Sequence, residues 1–229
     1  MKIIYRNSFN RSISEIENLK MNDSEKVFLV NNITKKIETN YPSGSFHVTY
    51  YKDNNEKNIL EKLSKEYPNA DVFKIRTRKV TGNHTFEIED YIENGVLELK
   101  NNLLRDKRGR IVAYNQIDIS NNQPSHEGSF KCFYSKTIYN NYCVPNLEFD
   151  SFRDKDFEVF SASYDKSGNL IEILLNSQST YDKEYFFPNQ PSPYDLETCR
   201  RICDLTKEQM NYFLTDELLP IPNFTIKNI

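Results

Sequence analysis

At 229 residues the chain is long enough to bury a substantial core. Its net charge of −3, with 28 % charged residues, argues against the global basic field that drives nonspecific nucleic-acid binding. No stretch approaches the ~20 apolar residues of a transmembrane helix, and the start Met1-Lys2-Ile3-Ile4-Tyr5-Arg6-Asn7 lacks a continuous apolar segment. A cytoplasmic protein is therefore expected, with no membrane association and no direct nucleic-acid partner. Cys132, Cys143, Cys199 and Cys203 are sparse and unpatterned, which reads as reduced thiols. The lack of Trp beside many Asn, Lys, Ile and Tyr points to an AT-rich, bacterial genome.

In chain order, Asp23 or Ser24 is placed to cap a helix through about Thr39 with Val30, Ile33 and Ile37 on one face, although Val27 to Val30 reads equally as a short strand. Ser45 to Lys52 reads as a strand, followed by a helix with Ile59, Leu60, Leu63 and Tyr67 along one side. Asp71 to Val80 and His84 to Tyr91 alternate around Gly82-Asn83, a two-residue hairpin turn. Further strands are expected at Val96 to Lys100, Ile111 to Ile119, Phe130 to Lys136, Phe157 to Tyr164 and Leu170 to Leu175. Two turns share the pattern D-K-x-G, at Asp106 to Gly109 and Asp165 to Gly168; Asp caps the turn and Gly supplies the positive φ that re-enters a strand. After Pro188-Asn189-Gln190-Pro191-Ser192-Pro193, Leu196, Cys199 and Cys203 fall at helical spacing, and Thr206 with Gln209 forms a capping box. The expected fold is α+β, mainly antiparallel sheet built from hairpins, with one or two helices in the N-terminal half and a C-terminal helical cap. It is expected as one domain, with an N-terminal segment 1–44, a sheet-rich core 45–187 and a cap 188–229.

Residues with chemical potential are dispersed. Alternation puts Lys74, Arg76 and Arg78 on one strand face, and pairing across Gly82-Asn83 sets Arg78 opposite Glu87 and Arg76 opposite Glu89, as charge pairs on a solvent face. Phe73, Ile75, Phe86 and Ile88 then share the other face. Small buried hydrophobes account for the cysteines, and no metal or cofactor is expected. Glu98-Leu99-Lys100 with Asp90 upstream is a nuclease-like fragment common on exposed strands. His47 and Thr49 share a strand face, and this H-x-T spacing resembles one half of the two-histidine phosphoesterase signature. That resemblance implies a phosphoesterase or nuclease using His47 and Thr49, but His84 and His126 do not repeat the spacing.

Aromatic residues make up 13 % of the chain and crowd the loops around Tyr142 and Tyr181, which read as contact surface. The leading expectation is a noncatalytic protein-binding module, most concretely a bacterial immunity-type protein that covers the active site of a cognate toxin. Glu87, Glu89, Asp90, Asp154 and Asp156 would complement a basic cleft, with Tyr142 and Tyr181 in the contact.

Overall fold

A computed structural model describes residues 1–7, 12–107, 109–135, 157–176 and 183–222. It is an α+β chain, 51 % strand and 15 % helix, in which the sheet dominates and is largely antiparallel. Two compact units are distinguished, Met1–Asn102 with Ile117–Gln123, and Leu103–Gln116 with Pro124–Ile229.

The N-terminal unit opens with β1 (Lys2–Asn7), β2 (Ser12–Ile13) and α1 (Glu15–Lys20). Helix α1 starts where Ser14 and Glu17 satisfy each other's backbone N–H groups in a capping box. The segment expected as a helix from Asp23 or Ser24 to Thr39 is instead a hairpin of β3 (Ser24–Val30) and β4 (Ile33–Asn40). Asn31 and Asn32 adopt φ of 51° and 62°, the two consecutive positive values that a two-residue primed turn requires, and Val30 pairs with Ile33 across it. Apolar spacing at Val30, Ile33 and Ile37 imitates a helix only because the turn sits inside it.

Strand β5 (Phe46–Tyr51) pairs antiparallel with β4 and parallel with β6 (Val72–Thr81). A parallel pair needs a crossover, and α2 (Ile59–Glu66) lies within it. Ile59 and Leu63 face inward from α2 and join Val48, Phe73, Ile75 and Ile92 in a buried cluster. Each such side chain contributes about 1.5–3 kcal/mol on burial. Strand β7 (His84–Glu93) pairs with β6 through the Gly82-Asn83 turn, and β8 (Val96–Arg105) follows Asn94-Gly95, both at positive φ.

The second unit contains the end of β8, β9 (Ile111–Ile117) up to Gln116, β10 (Pro124–Ser135), β11 (Phe157–Tyr164), β12 (Leu170–Asn176) and β13 (Lys183–Phe186). Strands β10 to β13 pair antiparallel in sequence order. Asp165 organises the β11–β12 turn by accepting hydrogen bonds at Oδ1 from the backbone N–H groups of Ser167 and Asn169, at 2.8 and 2.9 Å. Two helices follow, α3 (Leu196–Ile202), capped by Asp195, and α4 (Lys207–Tyr212), capped by Thr206 and Gln209. Cys199, Cys203, Leu205, Met210 and Phe213 pack with Ala162, Tyr164, Leu170, Ile173, Leu175 and Phe186 to form this unit's core.

Candidate functional site

In the N-terminal unit, β6 and β7 pair in the register read from the sequence, Arg76 with Glu89 and Arg78 with Glu87. Much of their polar face is withdrawn from solvent, however, although Arg78 is exposed. Glu87 and Glu89 are 3 % and 5 % exposed, so the expected exposed charge pairs are corrected to a buried network. Arg76 Nη2 lies 2.5 Å from Glu89 Oε2 and Arg76 Nη1 lies 3.5 Å from Glu87 Oε2, while Asn101 Nδ2 donates to the second Glu89 oxygen at 3.0 Å. Burial alone would push the Arg76 guanidinium down, but the Tyr51 hydroxyl, Glu89 and Glu87 outweigh it and raise its pKa above the ordinary value. The long side chains of this face cover one another, with Arg76 and Arg78 both over the Tyr51 ring. Lys74 on the same face is pushed below its usual range, first by burial; nearby Arg76 adds to this, whereas Glu89 and Glu25 oppose it.

Glu87 and Glu89 are thus engaged inward. Asp90 lies on the opposite face beside Ile75 in register, half-buried, with a buried Oδ1 that meets no hydrogen-bond donor among the described residues. Tyr142, Asp154, Asp156 and Tyr181 lie outside the described residues.

His47 and Thr49 do share a strand face on β5, and Thr49 is buried. His47 Nε2 is 2.9 Å from Ser45 Oγ, and its ring packs on Tyr41 with centroids 4.4 Å apart. Burial, and then Lys74, push its pKa below the ordinary histidine value. Tyr41 lines a cavity of about 400 Å³ together with Asn18, Leu19, Met21, Asn40 and Pro42, but His47 does not line it.

The second face of β6 and β7 is covered at one end only. Helix α2 has eight residues and so spans about 12 Å, against about 33 Å for the ten-residue strands. Phe73, Ile75 and Ile92 lie in the α2 cluster, whereas Ile88 of that same face is 37 % exposed. On neighbouring β8, Val96, Leu97 and Leu99 are 58 %, 37 % and 39 % exposed.

The C-terminal unit holds a constellation that local motifs do not reveal. His126 Nδ1 lies 2.8 Å from Asp216 Oδ2, and the Asp216 side chain is 4 % exposed. Lys131, on the same strand as His126, is fully buried. An odd separation of five would put these two on opposite faces of a regular strand, but Gly128 between them has φ of 78° and interrupts the alternation. Lys131 Nζ donates to the Tyr212 carbonyl at 2.5 Å and sits 3.6 Å from the Tyr212 ring centroid. Burial pushes its pKa down to about 7, against the opposing pull of Asp216 and Glu217. The Tyr164 hydroxyl is buried with no hydrogen-bond partner among the described residues; burial, followed by Tyr212 and Asp216, raises its pKa.

The β11–β12 turn closes under this group. A Cβ on Gly168 would stand 2.6 Å from Asp216 Oδ1 and 2.7 Å from His126 Nδ1, so the glycine is required both for its φ of 78° and for the space it leaves. His126 and Asp216 are ninety residues apart, and the only local signals were the glycine inside a strand and the glycine of the turn.

Among the described residues, no group of three or more His, Cys, Asp and Glu is arranged to hold a metal ion, and no helix is long and apolar enough to cross a membrane. No family model, curated protein or solved structure matches the chain significantly.

Proposed function

We propose that the chain is a protein-binding module whose contact surface is formed by the exposed apolar side chains of β7 and β8, a role that needs no catalysis. The observation that carries this reading is the exposure of Ile88 on β7 and of Val96, Leu97 and Leu99 on neighbouring β8. Exposed apolar surface on a rigid sheet is costly to leave in water and is favourable to cover with a partner. In its most specific form the module is a bacterial immunity-type protein that covers the active site of a cognate toxin. Because Glu87 and Glu89 neutralise Arg76, the proposed contact is apolar at its centre rather than acidic.

The test is binding to any secreted effector domain found encoded beside this gene, measured by calorimetry on the wild type, Leu97→Glu with Leu99→Glu, and the control Ile171→Glu. Ile171 is 49 % exposed in the other unit. The double variant is expected to lose binding at least a hundredfold, with an unchanged circular dichroism spectrum, and the control is expected to bind normally. Equal binding by all three proteins, or none by the wild type, removes the reading.

A further inference from the structure

The C-terminal unit ties the segment after α4 to its strands through backbone hydrogen bonds and buried polar side chains. Leu170 N–H donates to the Leu214 carbonyl at 2.9 Å and Asp216 N–H to the Gly168 carbonyl at 3.0 Å, so backbone bonds fix the segment along the β11–β12 turn. Side chains complete the attachment. Asp216 meets His126 at 2.8 Å, Lys131 Nζ holds the Tyr212 carbonyl at 2.5 Å, and the Tyr212 hydroxyl donates to the Leu218 carbonyl at 3.2 Å. Phe213 and Leu218 are buried by this arrangement.

We propose that Tyr212–Leu218 is a pH-responsive latch over the core of the C-terminal unit, closed while the Lys131 amine is neutral and loosened when that amine takes up a proton. The neutral amine is tolerated with one N–H on the Tyr212 carbonyl and tyrosine rings around it, whereas the ammonium has only that carbonyl and those rings in place of water or a carboxylate. The groups around it are the Tyr164 hydroxyl and ring from β11, the Tyr212 ring from α4, and Asp216 and Glu217 from the segment itself. Asp216 is held by His126, whose other charged neighbour is Asp165 on the turn. No carboxylate lies within ion-pair distance of Lys131 Nζ among the described residues, so opening the latch is the route by which the charge reaches water.

Amide hydrogen exchange of residues 212–218, expressed as protection factors between pH 7.5 and 9.5, tests the proposal. In the wild type, protection is expected to rise about tenfold per pH unit, because opening binds one additional proton in this range. Lys131→Met is expected to abolish that slope, and His126→Asn, which keeps a donor toward Asp216, is expected to retain it. Equal slopes in wild type and Lys131→Met overturn the latch. If Lys131→Met fails to fold, the Lys131 Cε resonance of the wild type decides: titration near neutrality supports the proposal, and titration with the surface lysines overturns it.

Discussion

Arg76 in the N-terminal unit and Lys131 in the C-terminal unit are both basic side chains withdrawn from solvent on a strand, and their surroundings treat them in opposite ways. Arg76 faces two carboxylates on the neighbouring strand, one of them at 2.5 Å, and remains charged. Lys131 faces a carbonyl and two tyrosine rings, with Asp216 and Glu217 acting from farther away, and its proton is lost near neutral pH. Burial penalises the charged form in both places; direct contact with carboxylates decides which side chain keeps its charge. Residue type reinforces the difference, since guanidinium offers a fork of donors and stays protonated, whereas an amine gives up its proton when desolvated.

The largest expected effect follows from removing the compensated cation. Arg76→Met removes the guanidinium that meets the buried Glu87 and Glu89 and should cost about 3–5 kcal/mol in urea unfolding. Changing both glutamates to leucine in the same protein should restore most of that loss. The desolvated amine should give the opposite sign. Lys131→Met is expected to stabilise the protein at pH 7 by about 1–4 kcal/mol, because an apolar side chain of similar volume replaces a desolvated amine. A clear destabilisation of that variant would break the contrast.

Two smaller effects sharpen the description of the C-terminal unit. Gly168→Ala combines positive φ with a Cβ 2.6 Å from Asp216 Oδ1, and a loss of about 1–3 kcal/mol is expected on thermal unfolding. Thr206→Ala removes the hydroxyl that accepts the Gln209 N–H at 3.1 Å and should cost about 1 kcal/mol.

The contrast also explains what could be read in the sequence. The β6–β7 register was legible because a two-residue turn and strict alternation leave one pairing, and Arg76 does stand opposite Glu89. The burial of that face was not, since alternation separates two faces without saying which is wet. Lys74, Arg76, Glu87 and Glu89 look like a solvent strip until their side chains are seen covering one another. The Asn31-Asn32 turn was hidden by apolar residues whose spacing also fits a helix. The His126, Lys131 and Asp216 group depends on Gly128 within β10 and on a contact ninety residues away, which no local pattern encodes.

The contrast between the two basic side chains is tested most directly by unfolding stability from pH 6.5 to 10, followed through amides of the C-terminal unit in wild type and Lys131→Met. The folded pKa of Lys131, about 7, lies below the unfolded value of about 10.4, so the unfolded chain binds more protons between them. Wild-type stability is therefore predicted to rise with pH in that window, approaching about 1.4 kcal/mol per pH unit, and to level off below pH 7. The variant is predicted to lack this rise. Parallel curves for the two proteins would contradict the assignment of Lys131 as the uncompensated buried amine.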